Sequence, residues 1–438
     1  MNKRKVVVTG LGMATSLGLD VEENWQKALA GISGITRLTY PQSEKSPVQA
    51  VGEVKDADWN KIRETFPDEA KNEGERRTLF ALWAASEALR DSRLISAEAA
   101  SELRTPNSET LTRCGVILAA GLGINRLEDI QRWVDKDRKF DYEKFGREYK
   151  DIHKESLMKN NSNRPAALVA DKFGLHGYNA TVTTACASAS QAIGLAYRAI
   201  RRGDADMLVA GGADSMINPV GLIFFVLLGA ANTSPDNPEE MCRPFDRKRG
   251  GLVMGEGAGA VILEEESHAL KRGAKIYAEV AGYGTTMDAY QVTAPHPKGE
   301  GAEKAMRAAL SDANISPEEI DYINAHGTST KLNDSTETLA IKNVFKGHAH
   351  NLCVNSSKSI IGHLIAASGG PEFVFTVLSV NRDEIHPTLN LKTPDPKCDL
   401  DYVPNIKRVK PVRAAISNSF GFGGQNASIV LKKYLATN

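Results

Sequence analysis

One cysteine and two histidines stand in the contexts richest in chemistry along this 438-residue chain. Cys186 lies in Thr181-Val-Thr-Thr-Ala-Cys-Ala-Ser-Ala-Ser190. The β-branched run Thr181 to Thr184 reads as the end of a buried strand. It breaks into small residues around the thiol. The alanine-rich stretch that follows can run as a helix to about Arg201. A thiol at a helix mouth faces unpaired N–H groups and the positive end of the helix dipole, so a depressed pKa is expected. Taken alone, the stretch fits a buried structural cysteine slightly better than a nucleophile.

The two histidines change that balance. His326 falls just past a short strand in Ile323-Asn-Ala-His-Gly-Thr-Ser-Thr330. Lys358 and His363 follow another in Cys353-Val-Asn-Ser-Ser-Lys-Ser-Ile-Ile-Gly-His363, and a small-residue helix is expected from His363 to Glu372. A strand in Ile416-Ser-Asn-Ser-Phe-Gly-Phe-Gly-Gly-Gln-Asn426 ends in a glycine-aromatic loop. Singly, each has a bland structural reading. Together, one thiol and two imidazoles at strand ends beside glycine turns suit nucleophilic catalysis with positioned hydrogen-bond donors. The histidines at 153, 176, 268, 296, 348, 350 and 386 stand in polar or loop contexts and receive no chemical role.

The elements that position these residues alternate between strand and helix. Strands are expected at Lys5–Thr9, Cys114–Ala119, Met207–Gly212 and Ile276–Gly284, and helices at Glu22–Gly31, Arg77–Arg93 and Ala166–Phe173. Gly10-Leu-Gly12 does not complete Gly-x-Gly-x-x-Gly, and a tight turn after the first strand is the expected role. Ala278 to Gly284 echoes Val6 to Gly12, and Val354 to Ser359 echoes Thr181 to Ser190. An internal duplication with a seam near Glu265 to Lys275 follows. Strand–helix alternation in both halves implies an α/β layered fold with sites at the carboxyl ends of strands. The charged excursion Glu128 to Met158, studded with aromatics, reads as a solvated cap or a dimer-facing arm.

Composition narrows the function classes. Hydrophobic content of 42% and charged content of 25% are those of a soluble globular protein. Lys plus Arg equals Asp plus Glu, 54 against 54, so no global field favours nucleic acid or an anionic membrane. Five cysteines without CxxC spacing argue against a disulfide framework or a zinc site and suit a reducing compartment. The strand starts too early for a signal peptide, and the apolar run Val220 to Ala231 is too short to span a bilayer, so the cytoplasm is the expected location.

The four motifs around Cys186, His326, Lys358 with His363, and Phe420 to Gly424 resemble the elongating β-ketoacyl-[acyl-carrier-protein] synthases of the thiolase superfamily. The resemblance runs from the first strand to the last. It implies a duplicated five-layer αβαβα fold, divided into residues 1–270 with the nucleophile and 271–438 with the histidines and a gating loop. It implies a decarboxylative Claisen condensation extending a fatty-acid, polyketide or polyene chain. Cys186 would hold the acyl group, and His326 and His363 would stabilise the malonyl thioester oxygen. Backbone N–H groups of Cys186 and Phe422 would form a second oxyanion hole. Lys358 and Glu372 match the family's charged pair, Thr328 and Thr330 its pantetheine-holding hydroxyls, and Phe422 its gate. Phe420 and Gly423 belong to the same loop, and Leu122 takes the place of a pocket-lining aliphatic.

The implied partner is an acyl carrier protein, in acyl- and malonyl-loaded forms, and the implied assembly is a homodimer, with a heterodimer as alternative. No cofactor, metal, nucleic acid or membrane is called for. Two other readings are a non-decarboxylating thiolase, which generally uses a second cysteine where this chain has His363, and a chain-length partner subunit, which typically lacks the nucleophile. Gln425 replaces a common threonine of the loop. Carrier proteins are acidic, so Arg76 with Arg77, Arg201 with Arg202, and Arg247 with Lys248 and Arg249 are candidate docking cations.

Overall fold

The computed structural model describes residues 4–40, 43–73, 75–96, 113–123, 131–151 and 160–435. The order of its strands displays the duplication. In the first half, Val6–Ala14, Cys114–Ala120, Asn179–Val182, Met207–Ser215 and Met254–Glu265 lie in the spatial order third, second, fourth, fifth, first. In the second half, Ala278–Met287, Tyr322–Asn324, Cys353–Asn355, Ala414–Phe420 and Gln425–Lys433 repeat that order. In each half the second, third and fourth strands run parallel, and the fifth runs antiparallel between the fourth and the first. The halves meet where the two first strands pair antiparallel, from Val6 opposite Val280 to Val8 opposite Ala278.

Helices cover both faces, as parallel strands require. Ser188–Arg202 and Gly369–Arg382 pack against each other and against strands of both halves, forming the middle layer. The largest core lies here, joining Ile193, Tyr197 and Ile200 to Phe373, Val377 and Leu378. Arg76–Asp91 with Arg164–Phe173 covers the outside of the first half, and Glu300–Ala313 with Lys331–Phe345 covers the second. Each outer layer has its own apolar cluster. The result is the expected α/β five-layer αβαβα arrangement.

Gly10 and Gly12 correct the expected turn. The first strand continues through both to Ala14. A Cβ on Gly10 would lie 2.2 Å from the Ala88 carbonyl oxygen, and one on Gly12 would lie 1.9 Å from that of Ala84. Bare backbone lets the helix Arg76–Asp91 approach the strand. Met207–Ser215 likewise passes through Gly211 and Gly212 rather than ending there. Of the charged excursion, residues 128–130 and 152–158, with His153, lie outside the described residues. The described part holds a short helix, Tyr142–Glu148, and an aromatic cluster of Trp133, Phe140, Phe145 and Tyr149. The helix Pro219–Leu227 takes up most of the run Val220 to Ala231, and no helix among the described residues is long and apolar enough to cross a membrane.

Candidate active site

Cys186 sits where the strand Asn179–Val182 turns sharply into the helix Ser188–Arg202. The turn is strained: Ala185, immediately before the thiol, has φ of +49°, a left-handed conformation uncommon for a residue with a Cβ. Ser188 closes it, accepting from the Thr184 N–H at 2.7 Å and donating to the Ala185 carbonyl at 2.6 Å. The thiol is 2% exposed. Burial pushes it up to about 11, against the lowering effects of the Phe422 N–H that donates to it and of the Lys358 ammonium. This corrects the expected depression. Desolvation of the enclosed sulfur is the largest effect and favours the thiol form.

His326 follows the strand Tyr322–Asn324, and its turn is fixed by a residue absent from the sequence reading. Glu337, on the helix Lys331–Phe345, accepts the His326 N–H and the Gly327 N–H on its two oxygens, each at 2.9 Å. Burial raises the Glu337 carboxyl to about 7. The available signal was the pair Asp334 and Glu337, acidic residues one turn apart at the start of an amphipathic helix. Burial, and then the Lys358 ammonium and His363, hold the His326 imidazole well below its ordinary range, so the ring is neutral.

His363 follows the short helix Lys358–Ile361. No helix begins at His363, contrary to expectation. A single 3-10 turn, Ile365–Ala367, intervenes before the helix Gly369–Arg382. That turn fixes the chemistry of the ring. The Ile365 N–H donates to Nδ1 at 3.0 Å, and Ser368 Oγ lies 2.7 Å from the same atom. An amide N–H can only donate, so Nδ1 is the acceptor and the proton of the neutral ring is on Nε2. Nε2 is buried without a hydrogen-bond partner among the described residues. Burial, and then Lys358, keep this imidazole well below its ordinary range as well.

The structure brings these three side chains together. The ligating atoms of Cys186, His326 and His363 lie within 4.8 Å of one another. Such a triad has the form of a metal site, but the positive charge of Lys358, which disfavours protonation of both imidazoles, also opposes a cation there. Lys358 is itself buried and donates to Glu372 Oε1 at 2.5 Å.

A cavity of about 510 Å³ opens onto the triad. Thr328 and Thr330 line it, their hydroxyls 2.9 Å apart. So do Phe420 and Phe422. The Phe420 ring meets His326 edge-on at 6.0 Å between centroids. Gly421 packs on the nucleophile, since a Cβ there would lie 3.1 Å from the Cys186 nitrogen. Gly423 has φ of +82°, and its N–H donates to the Val292 carbonyl at 2.7 Å. Asp288 ties the loop down, donating its N–H to the Gly424 carbonyl and accepting from Asn426 Nδ2, each at 2.8 Å. Asp288 did not stand out in the sequence, and Asn426 closed the glycine-aromatic motif without a role of its own.

Other expectations are not met. Leu122 is 67% exposed and does not line the cavity. Arg77 is buried, donating to the carbonyls of Gly121 and Asn160 at 2.6 and 2.8 Å. Arg249 is buried against Asp334 and Asp395. Arg76 pairs with Glu256, Arg201 with Asp312 and Arg202 with Asp204. Arg247 and Lys248 remain: both are exposed, form no ion pair among the described residues, and precede Gly250 and Gly251 at the cavity wall. His386 is buried against Asn355 and Ser357 rather than in a polar loop.

Comparison with known proteins agrees with this geometry. Residues 3–269 match the family described as "Beta-ketoacyl synthase, N-terminal domain", and residues 277–392 match "Beta-ketoacyl synthase, C-terminal domain". A Synechocystis sp. protein named 3-oxoacyl-[acyl-carrier-protein] synthase 2 is 40% identical over 434 residues, covering 99% of both chains. A Staphylococcus aureus protein of the same name is 39% identical over 448 residues, again covering 99% of both. Among solved structures, a type II PKS acyl-carrier protein in complex with its ketosynthase, bound to the hexaketide, superposes with a TM-score of 0.86 at 32% identity, covering 99% of this chain and 100% of that one. The ishigamide ketosynthase/chain length factor superposes with a TM-score of 0.82 at 31% identity, with the same coverage.

Proposed function

The chain belongs to the β-ketoacyl synthase family, and from that premise we propose how its residues divide the work of condensation. The protein is a 3-oxoacyl-[acyl-carrier-protein] synthase, an acyltransferase that joins an acyl group to a malonyl unit by decarboxylative Claisen condensation. The observation that carries the assignment of roles is the convergence of one thiol with two neutral imidazoles at a cavity.

Cys186 sulfur attacks the carbonyl of an acyl thioester delivered by the carrier protein. A new thioester forms on Cys186, and the carrier leaves as a thiol, taking the cysteine proton. The malonyl-loaded carrier follows, its pantetheine arm held by the Thr328 and Thr330 hydroxyls. His326 and His363 donate N–H bonds to the malonyl thioester oxygen as carbon dioxide departs and the enolate forms. A protonated imidazole would carry a charge that this buried site, already holding Lys358, disfavours. The enolate carbon attacks the Cys186 thioester, and the N–H groups of Cys186 and Phe422 receive the oxyanion. Collapse expels the cysteine thiolate. Removing one such donor should cost about 3–4 kcal/mol of barrier.

The N-terminal half, residues 1–270, supplies the nucleophile, and residues 271–438 supply the histidines and the Phe420–Gly424 loop, with Phe422 as its gate. Lys358 and Glu372 hold the site's charge in place. The carrier protein docks where Arg247 and Lys248 flank the cavity. A homodimer in the cytoplasm is the proposed setting, consistent with five unpaired cysteines. Mass spectrometry after incubation with acyl-loaded carrier protein tests the first step. The acyl mass is expected on the Cys186 peptide, and its absence there would overturn the assignment.

A further inference from the structure

Asp214 does not line the cavity and has no part in the steps above. It sits near the end of the strand Met207–Ser215, fully enclosed. Its Oδ2 accepts the Ala366 N–H at 2.9 Å, and its Oδ1 accepts the Ser215 N–H at 2.9 Å. No cation forms an ion pair with it among the described residues. The turn after Cys114–Ala120 is kept bare to admit the carboxylate: a Cβ on Gly121 would come within 2.5 Å of Oδ2. Burial raises this carboxyl to about 6, a free-energy cost that a purely apolar side chain would not carry.

What the carboxylate holds is the turn behind His363. Ala366 belongs to Ile365–Ala367, and Ile365 has φ of +50°. For a β-branched residue that conformation is a genuine outlier, sustained only when its surroundings enforce it. On the other side of that residue, the Ile365 N–H donates to His363 Nδ1, so its backbone links the pinned Ala366 to the amide that meets the ring. Asp214 thus holds the Ala366 N–H, and the neighbouring Ile365 N–H, joined to it through the strained Ile365 backbone, holds the imidazole.

We propose that Asp214 is a positioning residue for His363: by pinning Ala366 it enforces the left-handed Ile365 turn, which keeps Nδ1 an acceptor and the ring proton on Nε2. The proposal rests on the reading of His363 as a donor to the malonyl thioester. It predicts that Asp214 matters to decarboxylation only through His363, and not to acylation of Cys186.

A double-mutant cycle separates this from a structural role. Malonyl-carrier decarboxylation and Cys186 acylation are measured for wild type, Asp214→Ala, His363→Ala and the double variant. Asp214→Ala is expected to lower the decarboxylation kcat on the order of 100-fold. KM and Cys186 acylation should stay within about threefold of wild type. In the His363→Ala background the same change should add less than about threefold, because the interaction it supports is already gone. Asp214→Asn, which keeps one acceptor for Ala366, should recover most of the loss and covers the case in which Asp214→Ala fails to fold. Equal losses in both backgrounds, or an unchanged kcat, would overturn the proposal. If His363→Ala leaves decarboxylation intact, the reading of His363 fails on its own measurement, and a loss confined to the Asp214 variants then overturns positioning through His363 as well.

Discussion

His326 and His363 face each other edge to face, with ring centroids 5.3 Å apart and planes at 86°. Two protonated rings could not share that space. Burial first, and the Lys358 charge second, keep both neutral. The geometry and the charge state are thus one device, which gives each ring an N–H to donate without a positive charge of its own.

That device sets the pH dependence of malonyl decarboxylation. The reaction needs neutral rings, whose pKa values lie well below 6.5. Imidazole protonation, tracked by the C2–H chemical shifts of the two rings beside the rate, should therefore set in only below pH 6.5, whereas the Glu337 carboxyl, raised to about 7, titrates above it. A ring titration centred near 6.5 would contradict this. Replacing Lys358 and Glu372 together by methionine removes the depressing charge, so the ring titrations should move to higher pH. Urea unfolding provides the control. Lys358→Met alone strands a buried carboxyl and should cost about 3–5 kcal/mol, whereas the double replacement should be far milder.

The Cys186 thiol offers a second test. Its pKa of about 11 means that alkylation by iodoacetamide in the unliganded enzyme should climb steadily through pH 8 to 10. A plateau reached below pH 7 would show that the helix terminus and the Phe422 N–H together overcome burial.

Of the docking cations expected from the sequence, Arg247 and Lys248 stay exposed and without an ion pair among the described residues, and Lys331, exposed on the cavity wall, adds a third positive charge. Converting both to glutamate should raise KM for carrier-bound substrates about tenfold or more at low salt, with kcat nearly unchanged, and the effect should shrink as salt rises. An unchanged KM would place the docking surface elsewhere.

Much of this molecule was legible in the chain because strand ends and glycine turns leave local marks. Cys186 and His326 each follow a β-branched or apolar run and precede small residues, Lys358 and His363 bracket Ser-Ile-Ile-Gly after another such run, and the repeat of the first strand at Ala278 foretold the duplicated sheet. What escaped was set by tertiary contact. Gly10 and Gly12 looked like a turn because nothing local announces the helix pressed against them. Arg77 and Arg249 looked like docking charges because the carbonyls and carboxylates that bury them lie far off in sequence. Glu337 and Asp214 grip backbone N–H groups of the histidine turns from 10 or more residues away, and the one-turn spacing of Asp334 and Glu337 marks a pair of acids without saying which amides they reach. The raised Cys186 pKa followed the same pattern: a helix start and a buried setting are both visible in sequence, and which of them governs the sulfur is not.

The most direct measurement replaces Cys186 with glutamine and supplies malonyl-loaded carrier protein. If the thiol only carries the acyl group while His326 and His363 serve the malonyl unit, Cys186→Gln should lose condensation and acylation yet still release carbon dioxide and leave acetyl-carrier protein. A folded Cys186→Gln protein that has lost decarboxylation as well would contradict that division of labour.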